Sequence, residues 1–241
     1  MERLSKNDLL MLSSSSSDAS GRDLSGVNLR GAELLGMCFD GSNLAGADLS
    51  SANFSGSTFR NADLTGCNLG SSNFAGCSFT KARLVKADLT YSTFEAADFT
   101  EALLTEANFT NSRISSAILE RADLSHANLQ MVDGIMARFR GAIMTKIHAR
   151  GASFIGAVFS GCDLRGANFH GTDLSTADLS SADLREADIL DATLIAADLR
   201  NADLRRVRMK RTDLTRAKLE QMQYDDELRE LVRRYEGKGR N

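Results

Sequence analysis

The 241-residue chain contains no proline and no tryptophan, and only 6% of its residues are aromatic. A globular core of this size would ordinarily use both, together with many β-branched residues; here Leu, Phe and Ala carry the apolar load. The missing proline suits a fold in which most backbone N–H groups face a neighbouring piece of chain. No apolar run is long enough for a membrane span, and no charged-then-apolar leader opens the sequence, so a cytoplasmic address is expected. Charge of one sign is also scarce, since the formal net charge is −3. Cysteine is limited to four residues, whose spacings match no zinc pattern, so neither a metal site nor a disulfide is expected.

What is present is a repeat. Ala177–Arg206 reads Ala-Asp-Leu-Ser-Ser-Ala-Asp-Leu-Arg-Glu and onward: a small residue, Asp or Asn, a large apolar residue, then two polar ones. This unit of five fits neither the period of a strand nor that of a helix. With the large residue as centre, the series runs Leu24, Leu29, Leu34, Phe39 through Leu129, and resumes from Phe154 to Leu219 in unchanged phase. About 40 units share one register. Two residues before most centres sits a small one, among them Ala32, Ala47, Cys67, Ser72, Cys77, Cys162 and Ala217. The three cysteines there act as small apolar filler, and Cys38 stands at an Asp/Asn position.

On these residues the chain resembles the pentapeptide-repeat proteins from about Arg22 to Gln221. The resemblance implies an all-β solenoid, a right-handed quadrilateral β-helix of about ten coils and about 48 Å in length at ordinary strand spacing. One large and one small inward position per unit suit a narrow filled tube. Residues 20 apart would then stack on one wall.

Taken in order, residues 1–21 read as an N-terminal cap and serine-rich link. Leu4, Leu9, Leu10, Met11 and Leu12 would form a short helix over the first coil, and Ser13–Ser17 a flexible connection. Residues 22–221 are the repeat region. Gly recurs at the second outward position from Gly26 to Gly76, as a corner with positive φ favours. Lys81, Lys86, Tyr91, Glu101 and Arg121 at the same position argue that the corner does not demand Gly everywhere. From Glu95 to Asp133 the exterior turns acidic, which reads as a solvated face.

The pattern degrades over 131–150. Gly134 and Ala149 fall at centres, Ile147 falls at a small position, and Met131, Ile135, Met136 and Ile143 fall outward. The favoured reading is a bulged or looped coil whose large side chains re-enter those gaps, with an exposed apolar docking patch as the alternative. Further on, Arg165, Arg185 and Arg205 form one column and Asp163, Asp183 and Asp203 another, a ladder of weak ion pairs or a partner site. The last coil is basic, from Arg205 to Lys218, and Asp225, Asp226, Glu227 and Glu230 are expected to neutralise it. Residues 222–241 predict a capping helix with Asp225 as N-cap and Gly237 beyond its end. Its stripe of Leu228, Leu231, Val232 and Tyr235 would cover the last coil or pair two rods into a homodimer.

Catalytic signals are absent. His126, His148 and His170 fall outward with no nucleophile paired to them, the Asp residues recur because the repeat places them, and a closed tube offers no ligand-sized pocket. No enzyme and no cofactor are expected. The function expected is a protein-interaction scaffold, with Arg165, Arg185, Arg205, Asp183 and Asp203 as candidate contacts to a protein partner. The resemblance also raises a DNA mimic that binds DNA gyrase or topoisomerase and protects against quinolones or toxins, although a net charge of −3 is weakly acidic for one. Direct nucleic-acid binding through the basic last coil ranks third.

Overall fold

The computed structural model describes residues 6–15 and 17–236. Parallel bridges join residues 20 apart along the whole repeat region, from Asp18↔Cys38 to Asp203↔Gln223. Since the unit is five residues, four units close one coil, and the chain winds into a four-walled tube. Leu64, Leu84 and Leu104 stand one above another on the first wall, each fully buried. Every bridge is isolated, so among the described residues the solenoid contains no strand longer than one pairing residue.

The reason lies at the second outward position. It has φ between +54° and +70° whether it holds Gly, as at Gly66, or Lys81, Tyr91 and Arg121. A left-handed residue every five turns the chain before a second ladder pair can form. The corner conformation is therefore universal and not confined to the glycine repeats. Non-glycine residues adopt it at a cost of about 1 kcal/mol each.

The repeat Ala62–Gly66 shows where the backbone donors go. Ala62 N–H bonds Phe59 O at 3.1 Å across the corner, and Asp63 N–H bonds Ser42 O in the coil below at 3.0 Å. Leu64 and Gly66 donate to Arg83 O and Val85 O in the coil above at 2.7 and 2.9 Å. Thr65 N–H is accepted by the Asp63 carboxylate at 2.9 Å. All five donors are engaged, which leaves no position where proline would be free of cost. It also explains the recurrent Asp/Asn: a short side-chain acceptor closes the turn that carries the chain outward.

Inside, aromatic columns stack along the axis. Phe59 and Phe79 are 5.0 Å apart and nearly parallel, as are Phe79 and Phe99 at 4.7 Å, while Phe74 meets Phe79 edge-on from the adjoining wall. Most small-position hydroxyls and thiols bond the carbonyl 23 residues back, as in Ser72 to Leu49 O at 2.8 Å and Cys67 to Leu44 O at 2.8 Å. Ser42 bonds Phe39 O instead, and the buried Ser112 hydroxyl has no partner among the described residues.

The register continues without a bulge through 131–150, where an irregular coil is the expectation from sequence. Asp133↔Ser153, Arg138↔Val158 and His148↔Asn168 are all in place. The gap at Gly134 is filled from the next coil: the Phe154 ring lies within 2.5 Å of where a Cβ on Gly134 would stand. At the other irregular unit large and small exchange places, with Ile147 and Ala149 both fully buried. Nothing is left for the outward residues to fill, so Met131, Ile135, Met136 and Ile143 stay exposed.

Both ends carry helices. Helix α1, Lys6–Ser15, buries Leu9 and runs on through Ser15, where the sequence suggests a flexible link. Leu4, Ser16 and Gly237 lie outside the described residues. At the other end a 3-10 turn, Asp226–Leu228, leads into helix α2, Arg229–Glu236.

Candidate functional site

The Asp column acquires its second role from the residue two positions on. At Asp163, Asp183 and Asp203 the carboxylate accepts the backbone N–H of Arg165, Arg185 and Arg205 as in any other repeat. The arginine side chain then folds back onto the same carboxylate. Arg165 Nε and Nη2 lie 2.8 and 2.7 Å from Asp163, and Arg185 lies 2.8 and 2.6 Å from Asp183. Arg205 makes the same fork to Asp203 at 2.9 and 2.5 Å. Arg165 and Arg185 also approach the carboxylate of the next coil, Asp183 at 3.8 Å and Asp203 at 3.6 Å, whereas the residue above Asp203 is Gln223. The two columns form one zipper of planar forks. Hydrogen bonds from the arginines hold the Asp163 and Asp203 carboxyls below their ordinary range. On the fourth wall Asp198 is bonded by Arg200, and by Lys218 at 3.3 Å, and its pKa is lowered to about 2.

A groove of about 590 Å³ runs beside this zipper, outside the tube. From a narrow tube no ligand-sized space is expected, and this one lies on the exterior. Arg165, Arg185 and Arg205 line one side, and Lys146, Glu186 and Arg206 the other. Gly166 makes the depression between Lys146 and Glu186, with Lys146 Cγ 3.2 Å from where its Cβ would be. Asp225 closes the end by accepting Arg206 N–H at 2.6 Å. That bond takes the carboxylate from helix capping, so Asp225 stands before the 3-10 turn without a side-chain cap bond of its own. Among the described residues Lys146 makes no ion pair, whereas Arg206 meets Glu186 at 3.2 Å. The groove suits carboxylates or other small anionic groups.

The remaining charges are mostly compensated between coils. Glu101 is approached by Lys81 and Arg121, Glu120 by Arg138 and Glu95 by Arg113. In the basic last coil Arg208 pairs with Asp188, Arg211 with Asp191 and Lys218 with Asp198. The neutralising carboxylates therefore come chiefly from the coil below. Of the four downstream acids expected in that role, Asp225 contacts Arg206 and Asp226 pairs with Arg229 at the start of helix α2. The C-terminal stripe divides: Leu228 and Val232 are buried on the rod's own core, and Leu231 and Tyr235 are half-buried against it.

His126 borders the groove, His148 is exposed, and His170 lies 3.6 Å from Asp191 on another wall, so the structure does not gather the histidines. Among the described residues no group of three metal-ligating side chains forms, and no helix is long and apolar enough to cross a membrane. Cys67, Cys77 and Cys162 are buried free thiols, pushed up to about 12 by desolvation.

A family model described as a pentapeptide repeat region matches residues 54–133, and one for pentapeptide repeats matches 15–46, 137–171, 162–200 and 182–221. Among solved structures, a trypsin-treated variant of QnrB1, a plasmid-mediated fluoroquinolone resistance protein, is 21% identical over 85% of this chain and 95% of its own, with a TM-score of 0.60. HetL from the cyanobacterium Nostoc sp. strain PCC 7120, involved in heterocyst differentiation regulation, is 23% identical over 92% of this chain and 98% of its own, with a TM-score of 0.40. At these identities the QnrB1 likeness concerns the fold alone. Among curated proteins compared by sequence, none matches.

Proposed function

This chain belongs to the pentapeptide-repeat family, and on that premise we propose that it is a non-enzymatic interaction scaffold. A rigid rod, wound as a right-handed quadrilateral β-helix, holds a protein partner against outward columns of side chains. The contact wall is the first one, where Arg165, Arg185 and Arg205 repeat at one-coil intervals beside the groove. The observation that carries this reading is the zipper: each guanidinium is held in a planar fork by its own Asp, so the display is ordered before any partner arrives. Such preorganisation lowers the entropic cost of association. The groove's uncompensated cation, Lys146, favours a partner that presents carboxylates.

Several features support a contact role over catalysis. Most hydroxyls and thiols of the small positions are bonded to carbonyls in the core, as at Ser72, Cys77 and Thr172, Ser112 being the exception among the described residues. The outward Asp residues are engaged in turns, and the histidines stand apart. A duplex-DNA mimic directed at gyrase would need an unbalanced negative wall. The acidic stretch from Glu95 to Glu120 is instead faced by Arg113, Arg121 and Arg138, which weighs against that alternative.

The test is affinity capture of partners from host extract with the wild-type chain and with the R165E/R185E/R205E variant. A specific protein is expected to be retained by the first and lost by the second, with circular dichroism unchanged. Capture insensitive to all three reversals would remove this wall from the reading. Inhibition of DNA gyrase supercoiling by the pure protein would favour the mimic instead.

A further inference from the structure

A second surface lies on the third wall, away from the arginine zipper. Ile135 and Ile155 stack there one coil apart, and Met131 and Met136 hold the wall's two corners; the four are 36–61% exposed. Ser115 and Ser175 replace isoleucine in the coils on either side, so the apolar area ends after two rows. Each methionine lies over a glycine of the next coil. Met131 Sδ is 2.8 Å from where a Cβ on Gly151 would stand, and Met136 Sδ is 2.7 Å from that of Gly156. The glycines thus seat the two thioethers flat against the rod, and methionine is the apolar side chain best able to adapt to a partner.

A charge exception coincides with this apolar one. No Asp or Glu occurs between Asp133 and Asp163, although carboxylates recur throughout the rest of the repeat. Asp133 itself, in the first apolar row, accepts hydrogen bonds from Ile135 N–H and the Ser115 hydroxyl. Arg140 on the fourth wall and Arg150 on the second flank the apolar rows within one coil, and both are exposed. Among the described residues neither makes an ion pair, whereas Arg121, Arg208 and Arg211 each meet a carboxylate one coil away. A cationic rim around an adaptable apolar floor complements a segment with an apolar stripe and acidic flanks. Two rows at coil spacing span about 10 Å, the diameter of a helix.

We propose that this face docks an acidic amphipathic helix of a partner protein, lying across the rod, with its apolar stripe on Met131, Ile135, Met136 and Ile155 and its carboxylates at Arg140 and Arg150. The proposal rests on the scaffold reading but uses a different wall. Serine is already present in the same columns at Ser51, Ser71, Ser115 and Ser116, so serine substitutions there preserve the backbone.

The experiment uses the full chain and a fluorescein-labelled synthetic helix of about 18 residues with Leu on one face and Glu on its flanks, read by fluorescence anisotropy. Two control peptides replace Glu by Lys, or Leu by Ser. The Leu/Glu peptide alone is expected to bind. M131S/I135S/M136S should weaken it about tenfold or more, and R140E/R150E should weaken it likewise while admitting the Lys peptide. R165E/R185E/R205E should leave it unchanged, which separates this face from the zipper wall. Equal binding of the Lys peptide, no binding of the Leu/Glu peptide, or indifference to the serine variant would each overturn the proposal. So would self-association of the rod abolished by M131S/I135S/M136S, which would assign the face to a second copy. A host partner captured through the arginine zipper while the Leu/Glu peptide fails to bind would leave the scaffold standing and this proposal refuted.

Discussion

At the residue scale, conformation and charge can be separated cleanly. Gly161 and Ser181 occupy the same corner column with φ of +67° and +58°. No side chain lies within 4 Å of where a Cβ on Gly161 would stand. Only backbone strain then opposes Gly161→Ala, and denaturant titration should show a loss of about 1 kcal/mol. Ser181→Gly should gain up to about 1 kcal/mol by relieving the same strain. Asp198 provides the pH counterpart. Its carboxyl is lowered from 3.8 to about 2 by its bonds to Arg200, so its contribution is complete above 3.8 and disappears as pH falls through about 2. The stability gap between wild type and Asp198→Asn should be flat above that window and close within it, as thermal melts across pH would show. Of the four thiols, only half-buried Cys38 should react with a thiol reagent in the native state, because burial has pushed Cys67, Cys77 and Cys162 up to about 12.

At the scale of the coil and the cap, packing between neighbours decides. The Phe154 ring occupies the space that a side chain at Gly134 would need. Gly134→Ala should therefore cost about 1–3 kcal/mol, and adding Phe154→Leu should recover part of that loss, a coupling that a double-mutant cycle measures directly. The sequence marks Gly134 as a defect because a centre residue is missing. It does not reveal that a ring from the next coil supplies the missing volume, since the pattern records each position's own size and not its neighbour's reach. Helix α2 behaves similarly. Its apolar stripe is visible from spacing, but that Val232 is 1% exposed on the rod's own end is a packing fact. Val232→Asp should uncover the last coil, and its amides should exchange hydrogen faster while those near Leu104 keep wild-type protection.

For the molecule as a whole, what matters is which side chains the winding brings side by side. The five-residue period, with 20 residues per coil, places Arg165, Arg185 and Arg205 in one column, and this was legible before any coordinates. The sequence does not say that each arginine turns back to its own Asp, nor that a groove lies beside them. The same holds for Arg140 and Arg150, which are ten residues apart in the chain yet flank one apolar face. Both are surface geometries that depend on the rotamers of long side chains, and no repeat pattern constrains those.

The sequence alone determined the repeat, its phase, the buried column of Leu and Phe, and the small residues between, because a narrow tube admits only one large and one small side chain per unit. Tertiary structure decided the rest: that every corner is left-handed whatever residue stands there, that the coil at 131–150 keeps its register, and that its large side chains face solvent. The physical reason is that backbone hydrogen bonds between coils outweigh local side-chain preference. Once the ladders above and below are in place, an irregular unit must follow them, and its misplaced apolar residues are carried to the outside.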